Sequence, residues 1–389
     1  MYTGKILFSQ VMEFFPLYRF NELVQLYYGD YKVQSFPCLS QFYCMAFAQI
    51  TGRESLRDIV TCLRANQNKL YHMGIRGNVA RSTIADANST RNWKIYADLA
   101  YTLIATAKRL YAKEDFGVEI TNAVYAFDST TIDLCLSLFP WATFRTTKSA
   151  IKLHTLLDLR GNIPDHIWIT EANIHDVNML DELITLPNAI YIMDRGYIDF
   201  ARLYTINLSK AFFVIRPKKH FSYQRRYSRH VDKSTGLRCD QTIITTGIQS
   251  SKSYPDPIRR ISFFDVETKK RLIFLTNNFQ MPALNIAQLY KKRWAVELFF
   301  KWIKQHLRIK AFYGTSSNAV KTQIWIAIST YVIIAIMKKQ LNLKISLYTI
   351  LQFLSVSIFE KVPLKQALTN SNYKEQEVSN CKQLQLFDL

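Results

Sequence analysis

The chain has 389 residues, of which 49% are hydrophobic and 21% are charged, with 11 glycines and 10 prolines. This composition excludes disordered and fibrous proteins, and the length allows two or three domains around a large core. The net charge of +20 and the pI near 9.6 indicate a polyanionic partner, either nucleic acid or an anionic membrane surface.

The six cysteines are scattered and never fall in a CxxC spacing. We therefore expect free thiols in a reducing compartment instead of a zinc site or a disulfide framework. The opening stretch carries Glu13 too early for a secretory leader, so we expect none.

The first 115 residues predict a mainly helical domain, with few strand signals. The stretch Glu54–Ser89 resembles a helix-turn-helix, in which Ser55 and Ser82 would cap the two helices. A plain helical hairpin fits these residues equally well. The predicted helices are Phe8–Tyr27, Leu39–Thr51, Ser55–Leu63, the segment after Ser82, and Lys94–Tyr111.

Basic side chains flank the second helix of this motif. Arg76, Arg81 and Arg91 are candidates for contacts with DNA phosphates or base edges. They extend the basic character of the chain to its N-terminal domain.

The pattern changes near Val118 to strands and helices in alternation. Three strands come first, then a helix, a strand, a helix and a strand, which is the order of an RNase H-like domain. The predicted elements are strands at Asn122–Ser129, Lys152–Leu159 and Ile163–Thr170, a helix at Asn173–Thr185, a strand at Ala189–Met193, a helix at Phe200–Ser209 and a strand at Ala211–Ile215.

Residues 216–281 predict an all-β insertion in this domain, with strands at Gln241–Thr246, Arg260–Val266 and Arg271–Thr276. Between Arg216 and Arg271 there are 14 Lys or Arg residues against 5 Asp or Glu residues. Aromatic residues are interleaved with these charges, which favours a nucleic-acid surface over a merely solvated face.

The stretch Tyr290–Lys304, YKKRWAVELFFKWIK, is apolar at most positions. On one continuous α-helix, Tyr290, Arg293, Glu297 and Lys304 fall within about 60° of one another. A helix that is apolar nearly all round is buried, so this narrow polar stripe must face a polar ligand or an internal ion pair. The simpler alternative is a core helix with a buried Arg293–Glu297 pair at i and i+4.

Three acids stand out by position: Asp128 within an apolar strand, Asp194 at the end of a strand and Glu297 on the apolar helix. Each alone is compatible with a structural role. Together they form a donor set for Mg²⁺, which binds carboxylates, water and substrate phosphate oxygens. Lys148 and Lys152, after the first acid, are candidate DNA contacts or part of a solvated loop.

The spacing of Tyr290, Arg293, Glu297 and Lys304 is similar to the YREK signature of the IS-four family of bacterial insertion-sequence DDE transposases. Asp128 in AFDST and Asp194 in MDRGYID resemble the two other acidic motifs of that family. The N-terminal segments FSQVMEFFP, QFYCMAFAQIT and ESLRDI also resemble one branch of it. The resemblance covers nearly the whole chain except about the last twenty residues.

The resemblance implies an α/β fold with an RNase H-like catalytic core, a β insertion and a helical DNA-binding domain. The implied divisions are 1–115 for the N-terminal domain, 116–215 with 282–345 for the core, 216–281 for the insertion and 346–389 for a C-terminal helix and polar tail. It also implies a bacterial, cytoplasmic, nucleoid-associated protein that binds terminal inverted repeats and target DNA as a homodimer.

The resemblance further implies two Mg²⁺ ions, with Mn²⁺ as a substitute. Asp128 would hold both ions, and Asp194 and Glu297 one each. Water then attacks the end phosphodiester, and the freed 3′-OH attacks in turn. Tyr290, Arg293 and Lys304 would bind the phosphate of the strand that is not joined, and a further phosphate contact is implied for Arg195.

Some members of this family form a DNA hairpin and stack a flipped base on a tryptophan from the insertion. Residues 216–281 contain no tryptophan. A tyrosine or phenylalanine there offers the same aromatic face, and otherwise the hairpin step is absent.

Two other functions fit parts of the sequence: a domesticated nuclease without strand transfer, and a non-catalytic DNA-binding protein. A membrane protein would rest only on the apolar run Ile324–Met337, which is shorter than a span of about 20 residues. We expect that run to be a buried helix of the core.

Overall fold

The computed structural model describes residues 4–114, 117–118, 120–145, 148–218, 221–305 and 312–370. The basic residues Arg308 and Lys310, and residues 371–389 of the predicted polar tail, lie outside the described residues.

The N-terminal part of the chain is helical, as predicted. Pro16 lies between the first helical segment and the helix Leu17–Leu26, so the predicted single helix Phe8–Tyr27 is wrong. Phe15, which precedes the proline, is extended, because a residue before proline is sterically kept out of the helical region. The helices are α1 (Leu7–Val11), α2 (Leu17–Leu26), α3 (Cys38–Ile50), α4 (Leu56–Ala65), α5 (Gln67–Leu70), α6 (Arg81–Thr90) and α7 (Lys94–Tyr111).

The two helices of the predicted helix-turn-helix are α4 and α6, which pack against each other. Ser55 caps α4, because its side chain accepts a hydrogen bond from the Asp58 N–H. The predicted cap at Ser82 is wrong, since α6 already begins at Arg81 and its N-cap residue is Ala80. A short helix and a turn separate α4 from α6.

Among the described residues, ten strands form one mixed sheet. Its order is β2–β3–β1–β5–β6–β10–β9–β8–β7, and β4 also pairs with β3. The pairs β1–β5 and β5–β6 are parallel and all others are antiparallel. The strands are β1 (Val124–Leu134), β2 (Thr143–Arg145), β3 (Lys148–Asp158), β4 (Ile163–Glu171), β5 (Ile190–Met193), β6 (Phe212–Ile215), β7 (Tyr223–Arg229), β8 (Leu237–Thr245), β9 (Ile258–Asp265) and β10 (Lys270–Thr276).

The predicted helix at Asn173–Thr185 is wrong. Only Asp176–Leu180 is helical, as a 3₁₀ turn, and i→i+3 backbone bonds continue to Leu183. A tertiary contact holds this tighter path, because Arg202 of helix α8 (Phe200–Leu208) binds Asp181 and Asn178. The fold thus overrides the apolar spacing of the segment.

The strands of residues 223–276 continue the same sheet beyond β6, through the β6–β10 pair. A short helix, α9 (Ile248–Ser253), connects β8 to β9. The apolar run Ile324–Met337 lies in helix α12 (Ser317–Gln340), which packs against α7, α6 and α3. An apolar stretch of 18 residues within this helix is 94% buried inside the protein. The prediction of a buried core helix is therefore confirmed.

The predicted continuous helix over Tyr290–Lys304 is two consecutive helices, α10 (Ala283–Lys292) and α11 (Trp294–Gln305), with Arg293 at the joint. Phe299 and Trp302 pack on Tyr331 of α12, and α11 also contacts β1. The helix is not buried all round, because Trp294 is 56% exposed. The remaining helices are α13 (Leu347–Ser357) and α14 (Leu364–Asn370).

Candidate active site

Two of the predicted acids lie side by side on the central parallel strands. Phe127 of β1 is the register partner of Met193, the last residue of β5; Asp128 follows Phe127 on β1, and Asp194 directly follows the end of β5. Neighbouring strands lie about 4.8 Å apart, so the two backbones are adjacent where these side chains emerge. The sequence predicted each strand separately, and their parallel pairing is what brings the acids together.

Glu297, the third acid, is linked to Asp128 by an arginine that binds both carboxylates. Arg293 Nη1 donates to Asp128 Oδ2 over 2.8 Å, and Arg293 Nη2 donates to Glu297 Oε1. The i, i+4 pair that the sequence indicated is therefore present, and it extends to Asp128. All three side chains are largely shielded, with 14% of Arg293, 18% of Asp128 and 33% of Glu297 exposed.

Burial dominates the electrostatics of Asp128. It is the main reason why the pKa of this carboxyl lies at about 6 instead of 3.8, and the negative charges of Glu297 and Asp194 act in the same direction. The Ser129 N–H, which donates to Asp128 Oδ1 over 2.8 Å, and the Arg293 charge act in the opposite direction. The three acids are thus close enough to influence one another.

Tyr290 and Lys304 border the same site. Tyr290 is buried against Phe274, and burial raises the pKa of its hydroxyl to about 12. Within the described part of the chain, this hydroxyl has no hydrogen-bond partner. Lys304 Nζ donates to the carbonyl of Thr131, three residues after Asp128 on β1.

One buried residue near the acids was missed by the sequence analysis. Tyr197 closes a 3₁₀ turn whose backbone bond runs to the Asp194 carbonyl, and its ring packs on Phe127. Burial and the charges of Asp128 and Asp194 raise the pKa of its hydroxyl. The only sequence feature that pointed to Tyr197 was an aromatic residue three positions after an acid at the end of a strand.

Arg195, the first residue of the same turn, is exposed.

The other predicted DNA contacts have different surroundings. Arg76, Arg81 and Lys148 are exposed. Lys152 donates to the Ile174 carbonyl over 2.7 Å and lies 3.2 Å from Asp176, so it is tied into the protein instead of lying in a solvated loop.

Arg91 is not available to DNA in this structure. Its guanidinium is buried and donates to Gln41 and to the Phe36 carbonyl. The prediction of a DNA contact there is wrong, because the side chain closes the packing of α6 on α3.

The basic strand of the inserted region forms the outer edge of the sheet. Strand β7 pairs only with β8 along the strand order, and its Arg225 and Arg226 are exposed, as is Tyr227. Next to it, the rings of Phe200, Phe221 and Tyr223 stack in sequence, with centroids 5.6 Å apart at each step. An unpaired edge with this charge and these rings offers a surface suited to nucleic acid.

The donor set of the site fits a hard divalent cation, since it consists of carboxylate oxygens around a shielded centre. Among the described residues, however, no three acidic, histidine or cysteine side chains already surround one ion position. The Arg293 guanidinium stands between two of the carboxylates and supplies the positive charge there. The guanidinium thereby engages one oxygen of each of these two carboxylates.

Comparison with known proteins identifies the family. The transposase DDE domain matches residues 120–333, and a domain of unknown function (DUF4372) matches residues 3–76. A putative transposase, y4zB, of Sinorhizobium fredii is 31% identical over 256 residues, which is 65% of this chain and 70% of that protein. A putative transposase for insertion sequence element IS4SA of Synechocystis sp. is 22% identical over 347 residues, covering 88% of this chain and 95% of that protein.

A likeness to a solved structure is fainter. The piggyBac transposase in a synaptic complex with hairpin DNA aligns with a TM-score of 0.46 and 10% identity, over 97% of this chain and 84% of that chain. The family match spans more than half of the chain and includes all three acids, so the chain belongs to the transposase DDE domain family and is a DDE transposase, an enzyme that cleaves and transfers DNA.

Proposed function

We propose that this transposase moves an insertion sequence by cut-and-paste transposition, with Asp128, Asp194 and Glu297 as its catalytic carboxylates. The observation that carries the proposal is the adjacency of Asp128 and Asp194 on parallel strands, with Glu297 joined to Asp128 through Arg293. Three shielded carboxylates in one place are costly unless a cation compensates them.

The proposed cofactor is Mg²⁺, as two ions, with Mn²⁺ as a substitute. Asp128 would be the shared ligand, with Asp194 and Glu297 each holding one ion. When bound, such a pair supplies charge stabilisation for the attacking and leaving oxygens of an in-line phosphoryl displacement. The reaction is hydrolysis at the element end followed by attack of the freed 3′-OH on target DNA.

The protein's own cations would hold the DNA. Arg293 is suited to a phosphate because a guanidinium binds two oxygens at once, whereas Lys304 acts as a point charge. The buried Tyr290 hydroxyl, which is without a partner in the described residues, supports a role as a further phosphate donor. Arg195 is proposed as an outer phosphate contact, and Arg76, Arg81 and Lys148 as weaker ones.

The finer family assignment is to the IS-four group with the YREK signature. The strand order β4–β3–β1–β5–β6, three antiparallel strands followed by two parallel ones, supports an RNase H-like core. With it we propose a bacterial, cytoplasmic enzyme that acts as a homodimer on terminal inverted repeats. We keep 1–115 as the DNA-binding domain, 116–215 with 282–345 as the core, 216–281 as the insertion and 346–389 as the C-terminal part.

The hairpin step is compatible with the aromatic residues of the insertion. The ring of Phe221 stacks on Tyr223, and Phe221 borders a cavity of about 430 Å³ together with Phe200 and Lys218. A stacked base needs only an aromatic face. Phe221 is the proposed replacement for the absent tryptophan, and because its ring is stacked between Phe200 and Tyr223, it would have to separate from one of them to receive a base.

The test is a cleavage assay on linear DNA that carries the coding region with its own flanks. We expect cuts at the two element boundaries with Mg²⁺, none with EDTA, and none with Asp128→Asn, Asp194→Asn or Glu297→Gln, while DNA binding is retained. Asp133→Asn is the matched control, because Asp133 is an exposed acid on the same strand. Boundary cuts that persist in any of the three acid variants would refute the assignment of that acid.

The same assay separates the alternatives. Boundary cleavage without joining to target DNA indicates a nuclease that has lost strand transfer. Binding that is indifferent to metal and to all three substitutions would leave a DNA-binding protein.

A further inference from the structure

Arg293 makes a contact that its proposed role toward DNA does not explain. One guanidinium binds two of the three catalytic carboxylates, through Nη1 to Asp128 and through Nη2 to Glu297. One oxygen of each of these two carboxylates, Asp128 Oδ2 and Glu297 Oε1, is therefore already engaged by a cation of the protein itself.

We propose that Arg293 is an exchangeable placeholder: it closes the catalytic carboxylates in the free protein and leaves them when a DNA phosphate arrives. Metal loading is then coupled to end binding, so the free transposase does not assemble a nuclease site. The inference rests on the proposed function, since it takes the three acids as the metal ligands.

The surroundings of Arg293 differ from those of an arginine fixed in the fold. Buried Arg259 makes two bonds to Asp240 and two more to the carbonyls of Asn278 and Met281, so each of its nitrogens is engaged. Arg293 donates to the two carboxylates and lies over the Tyr290 ring, and its Nε has no partner within the described residues. Leaving its present position therefore breaks no backbone contact.

Arg293 keeps helical backbone angles and backbone hydrogen bonds, so the movement proposed here is one of its side chain. Arg293 stands at the joint between α10 and α11, where neither helix includes it. The Tyr290 hydroxyl lies next to Arg293, is buried and has no hydrogen-bond partner in the described residues. It is a second polar group toward which the guanidinium can turn. A phosphate bound at Tyr290 would draw the guanidinium toward it with bidentate geometry.

Competition for the same oxygens produces the coupling. A divalent cation and the guanidinium cannot both occupy the space between Asp128 and Glu297, so each weakens the binding of the other. DNA that captures Arg293 removes the competitor and raises metal affinity, and by thermodynamic linkage the metal raises DNA affinity equally. Such couplings typically change affinity by about 5- to 150-fold.

The experiment measures Mn²⁺ binding to the full-length protein by the EPR signal of the unbound ion, with and without a duplex that carries one element boundary. We expect the wild type to bind Mn²⁺ weakly alone and about 5- to 150-fold more tightly with DNA. Arg293→Gln should bind Mn²⁺ tightly without DNA, and added DNA should change its affinity little.

Lys291→Gln is the matched control for loss of a positive charge. Lys291 lies two residues away and pairs with Asp265 and Glu267 instead of the catalytic acids. We expect its Mn²⁺ affinity and its response to DNA to equal those of the wild type. If Lys291→Gln raises Mn²⁺ affinity as much as Arg293→Gln does, the effect is general electrostatics and the placeholder is refuted.

Three further outcomes keep the inference separate from the proposed function. If Arg293→Gln does not fold, the wild-type measurement tests the coupling by itself. Equal Mn²⁺ affinity of the wild type with and without DNA would contradict the coupling. Mn²⁺ binding that survives Glu297→Gln would overturn the metal assignment itself. Binding that is lost in Glu297→Gln but unaffected by Arg293→Gln would overturn only the placeholder.

Discussion

Asp128→Asn is expected to stabilise the metal-free protein at neutral pH, although it removes one of the proposed catalytic carboxylates. Burial raises the pKa of Asp128 from 3.8 to about 6, so folding makes this group harder to ionise. Below about pH 4 the carboxyl is protonated in both states and contributes nothing to this effect. Between pH 4 and 6 the cost of ionising it in the folded protein grows, and above pH 6 that cost is fully present.

The size of the effect follows from the same difference. A change from 3.8 to about 6 corresponds to about 3 kcal/mol at about 1.4 kcal/mol per pH unit, which is an upper limit. Because 18% of the side chain is exposed, solvent screening reduces it, and we expect about 1–3 kcal/mol. The attraction of Arg293 is already included, since it opposes the rise of this pKa.

The assay is urea denaturation in EDTA at a series of pH values. Asp128→Asn should exceed the wild type in unfolding free energy by about 1–3 kcal/mol at pH 7.5, and the difference should vanish toward pH 4. Asp133→Asn, on the exposed side of the same strand, should stay within about 0.5 kcal/mol of the wild type. If Asp128→Asn is less stable than the wild type at pH 7.5, the attraction between Arg293 and the Asp128 carboxylate exceeds the cost of burying that charge. This result would refute the expected stabilisation.

Three further outcomes are expected. Asp240→Asn should lower the unfolding free energy by about 3–5 kcal/mol in urea, because it leaves the buried Arg259 charge unpaired; a loss below 1 kcal/mol would contradict this. Gly161→Ala should cost about 1–3 kcal/mol in the same assay, since φ is +84° there and the new Cβ would meet the Tyr111 ring; an unchanged stability would disprove the strain. Arg225→Ala should weaken binding to unrelated duplexes and flatten the slope of log affinity against log salt by about 1; an unaltered slope would place β7 away from DNA.

Much of the fold was readable from local patterns. Helices α3, α4 and α7 and the strands β5 and β6 were predicted within a few residues, because their apolar spacing agrees with their final packing. The errors arose where a distant contact overrode the local pattern. Arg202 pulled residues 176–183 into 3₁₀ turns, and packing of α6 on α3 buried Arg91.

The candidate site divides in the same way. Sequence motifs predicted Asp128, Asp194, Glu297 and Arg293, and the family match covers all four. Tyr197 was missed, because its place beside the acids depends on a turn after β5 that has no periodic signal. Whether the acids serve as metal ligands stays a prediction until metal binding is measured.

The sequence alone determined which residue types are present, their order and their local spacing, and this was sufficient to indicate strands, helices and a set of three acids with an arginine. Only the tertiary structure decided that β1 and β5 pair in parallel, so that Asp128 and Asp194 emerge side by side. It also decided that Arg293 binds Asp128, 165 positions earlier in the chain, and thereby joins it to Glu297. The physical reason is that strand pairing and buried ion pairs depend on which distant segments pack together. The local spacing of residues does not specify which segments those are.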